Sequence, residues 1–505
     1  MLMSEMKIAK LWITVFAAGV AVLVVELAGA RLLSTYYGDT LFSWTSSIST
    51  VLGALALGYF AGGKLADRNQ DIRALSLFVF AASVFICITP FISQAVLQAG
   101  LAFGYEFGPL FASVLLLAVP NVFLGMVSPF AVRVKSRTVR SVGESAGNLY
   151  AISTIGSIVG ALLSGYLLLP FLGVSESLFL VGALLIVAGT IALGMKAMPL
   201  IAIAALLAVL PAPQLYSSPF GSPIYQTDSP YFHIDVINDS GILMLQTSLL
   251  GIQTLAYANL TTPSQLGYYD YQSVLYYGPN RVASALYLGL GGGSMVSDLY
   301  NNTNASIDVV ELDPSVISIA EKYFGIHNGG RVHIYNEDAR FFLRNSSSKY
   351  DMIVLDTYGT SLVFPSYMTT LQAAEEMKDH LNPNGSVIIN VVSPLEGEYS
   401  GVLKSVYSTF SYVFPTMYVF PTQLDNPLAL QNIEIIASTN TTKRSASQIA
   451  GELNGRLNPE EVNRIVDTYY NGTINTAGFP PLTDDKNPLD NYAATMLSGI
   501  QPSGS

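Results

Sequence analysis

The stretch that decides the fold is ASALYLGLGGGS, residues 283–294, in which an apolar run ends at a cluster of glycines. The run Ala283–Leu288 has the length and composition of a buried β-strand. Glycines directly after a strand allow a tight turn and a close approach of the backbone to a ligand, which then faces the N-terminus of the next helix. We therefore predict a strand, a glycine-rich turn at Gly289–Ser294 and a helix, in that order.

The same alternation of strand and helix continues downstream. Amphipathic stretches with helical periodicity, such as Pro314–Phe324 and Ser366–Leu381, separate further apolar strands. Strands and helices that alternate with short connections build a parallel, doubly wound α/β sheet of the Rossmann type. The predicted strands are Ala283–Leu288, Ile307–Val310, Val332–Tyr335, Met352–Leu355 and Val387–Val392.

A smaller β unit precedes this sheet. Apolar and polar residues alternate between Ile224 and Leu250, and Asn238–Gly241 has the composition of a tight turn. We predict a small β-hairpin subdomain at residues 216–280, a Rossmann-like domain at 281–440 and a C-terminal extension at 441–505.

The N-terminal part of the chain is far more apolar. Over all 505 residues, 51% are hydrophobic and only 12% are charged, about half the usual share for a soluble protein. Seven apolar blocks reach or approach the roughly 20 residues that a helix needs to cross a bilayer. We therefore predict an α-helical transmembrane bundle of about seven spans at residues 1–215. The blocks cover residues 11–33, 43–63, 74–97, 108–132, 148–171, 175–195 and 198–215.

Charge and cysteine content exclude several classes of protein. The net charge of −11 excludes nucleic acid as a partner, and the single cysteine, Cys87, cannot build a disulfide framework. The abundance of apolar residues excludes a disordered chain. The four histidines lack the spacing of metal ligands, so no metal is expected.

The basic residues of the bundle indicate its orientation. All but one of those before residue 216 lie at the N-terminus or in alternate loops between the predicted spans, and Arg31 is the exception. Because positive residues mark the cytoplasmic side, we predict a cytoplasmic N-terminus and, after seven spans, an extracytoplasmic C-terminal domain. Eight N-x-[ST] sequences, all in the C-terminal part, agree with N-linked glycosylation there, although a composition rich in Asn, Ser and Thr also produces them.

Acidic residues follow the next three predicted strands. Ligands of open α/β sheets bind at the carboxyl ends of the strands. Glu311 follows the last glycine of the turn, Gly293, by 18 residues, close to the spacing of roughly 20 at which an acid accepts hydrogen bonds from ribose hydroxyls. The glycines and Glu311 alone fit NAD equally well, and glycines that only pack a helix against a strand are the structural alternative. The predicted nucleoside site comprises Gly289, Gly291, Gly292, Gly293, Glu311 and Asp338, with Asp356 after the fourth strand.

An acid at the end of the third strand, where Asp338 lies in NEDAR (336–340), can accept from an adenine amino group. With Asp338 added to the glycine turn and Glu311, residues from about 225 to 419 resemble the spermidine synthase family, the aminopropyltransferases with a class I methyltransferase fold. A late segment, LTDDKNP (482–488), resembles the tail of the membrane-fused branch of that family. The other matching segments are YFHIDV (231–236), the Gly289–Ser294 turn, VELDP (310–314), EDARFFL (337–343) and YDMIVLD (350–356).

The resemblance implies transfer of an aminopropyl group from decarboxylated S-adenosylmethionine to a polyamine-type acceptor. Glu311 would bind the ribose, Asp338 the adenine, and Asp356 would be the catalytic acid beside the reacting centre. The co-substrate would be decarboxylated S-adenosylmethionine or S-adenosylmethionine itself, without a metal.

Three positions depart from the family's pattern. Ser273, Ser294 and Gly359 stand where the family has carboxylates, which implies a weakened polyamine site. Two functions therefore stay open: a membrane-anchored aminopropyltransferase, or a catalytically silent, glycosylated extracytoplasmic module that binds a partner. The expected partners are the lipid bilayer, a polyamine and N-linked glycans, and the resemblance adds a homodimer.

Overall fold

The computed structural model describes residues 2–68, 71–135, 142–193, 218, 220–247, 251–257, 268–359 and 364–499. The chain divides into two compact units. The first comprises Met1–Ser217 with Asp228–Phe232, and the second comprises Ser218–Thr227 with His233–Ser505.

The described part of the first unit is helical. Among the described residues, four helical stretches are long and apolar enough to cross a membrane: Ile8–Tyr37, Leu41–Arg68, Arg73–Lys135 and Val142–Leu193. Its α-helices are α1 (Leu2–Tyr37), α2 (Leu41–Arg68), α3 (Arg73–Gly100), α4 (Gly104–Ser113), α5 (Val119–Lys135), α6 (Val142–Leu163) and α7 (Leu169–Leu193).

The prediction of about seven spans is not supported. Predicted blocks three and four fall in the single stretch Arg73–Lys135, and blocks five and six fall in Val142–Leu193. Instead of a polar loop, one glycine with a positive φ interrupts each stretch, at Gly104 (φ 71°) and Gly173 (φ 79°). The seventh block, residues 198–215, lies outside the described residues.

Glycines allow the helices of this unit to approach closely. A Cβ atom at Gly58 of α2 would lie 2.3 Å from the Val122 carbonyl oxygen of α5. One at Gly156 of α6 would lie 2.4 Å from the Phe16 carbonyl oxygen of α1. Small residues at such crossings are typical of helices that associate in membranes.

The second unit begins with a four-stranded sheet of order β1-β2-β3-β4. The predicted hairpin is β2–β3, which are antiparallel, and its turn contains Ser240 (φ 52°) and Gly241 (φ 89°). The strands are β1 (Pro223–Asp228), β2 (His233–Asp239), β3 (Ile242–Gln246) and β4 (Thr254–Tyr257).

A seven-stranded sheet of order β10-β11-β9-β8-β5-β6-β7 forms the core of this unit. Strands β9, β8, β5, β6 and β7 are parallel, as predicted, and all five predicted strands are present. The antiparallel β11, which lies between β9 and β10, was not predicted. The strands are β5 (Ser284–Leu288), β6 (Ser306–Glu311), β7 (Val332–Asn336), β8 (Tyr350–Leu355), β9 (Leu381–Ser393), β10 (Thr416–Pro421) and β11 (Gln431–Ser438).

Helices connect the parallel strands, as a doubly wound sheet requires. The predicted helix Ser366–Leu381 is shorter in the structure, because a 3₁₀ turn at Ser366–Met368 comes first and the Thr370 side chain caps the α-helix that follows. The α-helices of this unit are Ser273–Tyr276, Ser294–Asn302, Pro314–Tyr323, Ala339–Asn345, Leu371–Asp379, Gly401–Val413, Ala446–Leu453, Pro459–Asp467 and Leu489–Gly499.

Residues beyond the sheet contribute to the same core. Ile449 and Leu453 of one late helix, and Val462 and Ile465 of the next, are buried in a cluster that includes Ile307 of β6. Burial of each such side chain contributes about 1.5–3 kcal/mol. The sheet is therefore covered in part by the end of the chain.

Candidate functional site

The glycine turn lies at the carboxyl end of the central strand β5. Gly289, Gly291 and Gly293 have φ values of 100°, 53° and 75°, a region that residues with a Cβ rarely adopt. A Cβ at Gly289 would lie 2.2 Å from the carbonyl oxygen of Asp356, and one at Gly292 would lie 2.6 Å from the Thr254 side chain. The turn therefore accepts no larger residue at these positions, and it leads directly into the helix Ser294–Asn302.

Glu311, the last residue of β6, lies against this turn. Its carboxylate accepts hydrogen bonds from the backbone N–H of Leu290 at 3.0 Å and of Asp313 at 2.9 Å. Burial raises the pKa of Glu311 to about 7. Each carboxylate oxygen keeps a second lone pair, so the side chain can still accept from two vicinal hydroxyls.

Asp356 follows β8 on the other side of the turn. Its backbone N–H donates to the Leu288 carbonyl at 3.0 Å, which fixes it beside the glycines. Its half-buried side chain accepts a hydrogen bond of 3.1 Å from the Asn390 amide, and burial raises its pKa to about 6. A carboxylate with this pKa can take up a proton near neutral pH.

Asp338 follows β7 at the end of the parallel part of the sheet. One carboxylate oxygen caps the helix Ala339–Asn345 by accepting from the N–H groups of Arg340 and Phe341, and the other accepts from the Tyr367 hydroxyl at 2.7 Å. Beside it lies a cavity of about 490 Å³, which Phe341 and Tyr367 also line. Asp338 therefore has a structural role as a cap, whatever else it binds.

The sheet order aligns these residues along one edge. Asp356, the glycine turn, Glu311 and Asp338 follow the adjacent strands β8, β5, β6 and β7. The turn contacts both Glu311 and Asp356, whereas Asp338 lies two strands away beside its own cavity. This edge, at the carboxyl ends of the strands, is where doubly wound sheets bind nucleotides.

None of the three positions that depart from the family's pattern carries a carboxylate. Ser294 begins the helix after the turn, with its hydroxyl 3.4 Å from the Leu255 carbonyl oxygen. The Gly359 carbonyl oxygen accepts from the Thr247 hydroxyl at 3.0 Å. Ser273 is buried, and its hydroxyl has no partner among the described residues.

Sequence reasoning missed three residues beside Asp356. Asn390 of β9 bonds to Asp356, and the Tyr358 hydroxyl donates to the Asn390 carbonyl at 2.6 Å. Glu434 of β11 is completely buried. A single acid inside the apolar run Ile433–Ile436 was the signal that could have identified Glu434. Among the described residues, no cluster of three or more His, Cys, Asp or Glu side chains could hold a metal ion.

These features define a class: an α/β domain with a methyltransferase-like fold and with a glycine turn and three acids along the carboxyl edge of its sheet. Residues 279–443 match the family model of the spermine/spermidine synthase domain. Over this region the chain is therefore similar to spermidine synthase-like proteins, which have this fold.

Curated relatives are similar to this chain over part of its length. A polyamine aminopropyltransferase of Vibrio vulnificus is 32% identical over 140 residues, which cover 26% of this chain and 45% of the relative. Polyamine aminopropyltransferase 1 of Streptomyces coelicolor is 23% identical over 415 residues and 76% of each chain. The eEF1A lysine and N-terminal methyltransferase of Bos taurus is 30% identical over 145 residues, 26% of this chain and 20% of the relative. The chain spans less than half the length of the first two curated relatives it matches.

Two solved structures are also similar. A probable spermidine synthase from Corynebacterium glutamicum has 20% identity and a TM-score of 0.41, covering 52% of this chain and 97% of its own. A spermidine synthase in complex with the transition-state analogue AdoDATO has 16% identity and a TM-score of 0.36, covering 55% of this chain and 85% of its own.

Proposed function

We propose that the second unit transfers the aminopropyl group of decarboxylated S-adenosylmethionine to an amine acceptor. The observation that carries this proposal is the position of Glu311 against the glycine turn, with Asp356 on the turn's other side. Glycine turns before a helix N-terminus allow a ligand to approach the backbone, and the two free lone pairs of Glu311 match the ribose hydroxyls. Asp338 and its cavity would receive the adenine.

The reaction needs a neutral amine. Its lone pair attacks the methylene carbon beside the sulfonium, so a C–N bond forms while the C–S bond breaks. The bonding electrons go to sulfur, which leaves as the neutral thioether of methylthioadenosine. The new ammonium nitrogen gives its proton to Asp356, whose pKa of about 6 suits a general base.

The charge of the site favours the decarboxylated co-substrate. Asp356 follows β8 and Glu434 lies on β11, with β9 between them, and neither forms an ion pair with a described Lys, Arg or His side chain. Above its pKa of about 6, the Asp356 carboxylate would repel the carboxylate of S-adenosylmethionine and attract the aminopropyl ammonium of the decarboxylated form. The proposed activity is therefore aminopropyl rather than methyl transfer.

Binding and turnover test this function directly. The full-length protein in detergent would be titrated calorimetrically with methylthioadenosine, S-adenosylmethionine and its decarboxylated form. It would then be assayed for methylthioadenosine release with 1,4-diaminobutane or spermidine as acceptor. We expect the decarboxylated form to bind tightest and to turn over. No heat with any of the three nucleosides would overturn the proposal and favour a catalytically silent module.

We propose further that the first unit anchors this domain in a membrane. The four long apolar helices support this, and the distribution of basic residues supports a cytoplasmic N-terminus. An extracytoplasmic catalytic domain requires an odd number of crossings, and so requires that the block at residues 198–215, which lies outside the described residues, also crosses the membrane. Protease treatment of intact cells tests the orientation, because a fully protected C-terminal half would place the domain inside. Glycosidase treatment in the same experiment tests for N-linked glycans, and crosslinking tests for a homodimer.

A further inference from the structure

A buried acid without a partner lies next to the proposed reaction centre. Glu434, in the middle of β11, has no exposed surface, and both of its carboxylate oxygens lack a hydrogen-bond partner among the described residues. Buried carboxylates in proteins normally have a hydrogen-bond donor or a cation as partner. The described residues therefore supply no partner for Glu434, and a ligand could provide one.

Glu434 belongs to a row of polar side chains across three neighbouring strands. It is paired directly across the ladder with Asn390 of β9, and side chains of directly opposite residues lie about 4.5–5.5 Å apart at Cβ. The Asn390 amide nitrogen donates to Asp356, which follows β8, whereas its amide oxygen has no described partner. The row Asp356–Asn390–Glu434 thus offers acceptor atoms and no cation.

Aromatic side chains surround the buried end of this row. Burial raises the pKa values of Tyr268, Tyr271 and Tyr358, and nearby Glu434 adds to this effect in each. Tyrosine rings next to carboxylates suit an alkylammonium group, because the ring faces attract cations and the methylenes pack against the rings. Since Glu434 has no exposed surface in the free protein, one of these rings must move when a ligand enters.

We propose that Glu434 binds the ammonium group of the acceptor that is remote from the attacking nitrogen. Asp356 accepts the proton of the nitrogen that attacks. Glu434 selects acceptors that carry a second positive charge over monoamines. This inference rests on the proposed function, since it assigns the acceptor part of the same site. Glu434 is a specificity-determining residue and takes no part in bond making.

Calorimetry with two amines tests the assignment. Full-length protein saturated with methylthioadenosine is titrated with 1,4-diaminobutane and with butylamine, for the wild type, Glu434→Gln and the exposed control Glu375→Gln. We expect Glu434→Gln to weaken diamine binding about 30-fold and butylamine binding less than about twofold. Methylthioadenosine binding stays unchanged in both variants. Equal diamine affinity in the wild type and Glu434→Gln would overturn this inference alone, whereas absence of methylthioadenosine binding to the wild type would overturn the proposed function.

Proton release gives a second readout. Burial raises the pKa of Glu434 well above its usual range, and the nearby Asp356 carboxylate adds to this effect. The titratable groups around Glu434 are Asp356, Tyr268, Tyr271 and Tyr358. Binding of the ammonium group should release a proton from Glu434, so the diamine heat should differ between phosphate and Tris buffers in the wild type. The difference should decrease in Glu434→Gln, and an unchanged difference there would contradict the assignment.

Thermal unfolding separates a ligand-binding role from a structural one. The volume-conserving Glu434→Met replaces an unpartnered buried acid with an apolar side chain. We expect it to raise the unfolding temperature of the free protein while abolishing selection of the diamine. A lowered unfolding temperature would show that Glu434 stabilises the fold and would overturn the proposal.

Discussion

Arg340 binds Asp484 through two hydrogen bonds of 2.8 Å each, across 144 positions of the chain. The Arg340 side chain is almost fully buried, and it also bonds to Glu376 at 2.7 Å and to the Tyr367 carbonyl at 2.7 Å. The Thr370 hydroxyl donates to the same aspartate at 2.7 Å. The LTDDKNP segment (482–488) is thus bonded to the helix Ala339–Asn345, which Asp338 caps.

Removing the Asp484 charge should loosen this attachment. Asp484→Asn loses a charge-assisted pair of hydrogen bonds, which contribute about 1.5–3 kcal/mol when fully buried. We expect a loss of about 1.5 kcal/mol in the free energy of unfolding, because Asp484 is partly exposed and Arg340 keeps Glu376. Thermal unfolding of the full-length protein measures the change. The neighbouring, exposed Asp485→Asn is the control, and equal effects of the two variants would contradict the assignment.

The same pair predicts a dependence of stability on pH. Hydrogen bonds from Arg340 lower the pKa of Asp484 below its usual value. The stabilisation is therefore complete above the pKa of the unfolded chain, about 3.9, and is lost as the pH falls further. The unfolding temperatures of the wild type and Asp484→Asn should differ at pH 7 and converge toward pH 3. The other buried acids are the same in both proteins, so their contributions cancel in the difference between the two unfolding temperatures. A difference that stays constant with pH would refute the prediction.

Part of this architecture follows from local sequence. The five parallel strands and the glycine turn were predictable because each is a short apolar run with a clear end, and Glu311 follows from its spacing. The pair Arg340–Asp484 was not, because spacing along the chain carries no information about a contact between such distant segments. The antiparallel β11 was missed because no short turn joins it to a neighbour, and Glu434 was missed with it. In the apolar half, hydropathy predicted the blocks themselves. It did not predict that a single glycine, in place of a polar loop, would separate blocks three and four, and blocks five and six.

Gly289 should tolerate no side chain. Gly289→Ala places a methyl group 2.2 Å from the Asp356 carbonyl oxygen at a φ of 100°. Strain of this kind costs about 1–3 kcal/mol even before Asp356 is displaced. We expect a lower unfolding temperature and loss of methylthioadenosine binding. Gly451→Ala is the matched control, because that helical position has open space and should gain about 0.5–1 kcal/mol. Nucleoside binding by Gly289→Ala at wild-type affinity would show that the turn does not form the site.

Asp356→Asn should separate turnover from nucleoside binding. The amide keeps the size of the side chain but cannot accept the proton of the amine. We expect methylthioadenosine release to fall by about 10²–10⁴-fold while affinity for methylthioadenosine changes less than about threefold, within the usual variation of single hydrogen bonds. Wild-type turnover in this variant would remove Asp356 from the mechanism.

Nucleoside affinity should depend on pH through Glu311. Burial raises the pKa of Glu311 to about 7, so the carboxylate that accepts from the ribose hydroxyls is fully formed only above that pH. The affinity for methylthioadenosine should therefore rise between pH 6 and pH 8 and then level off. Glu311→Gln should bind more weakly at pH 8 and show no such rise, whereas Asp356→Asn should keep it, because Asp356 has a lower pKa of about 6. Calorimetric titration at four pH values distinguishes the three proteins. An unchanged rise in Glu311→Gln would assign the titration to another group and remove Glu311 from the ribose site.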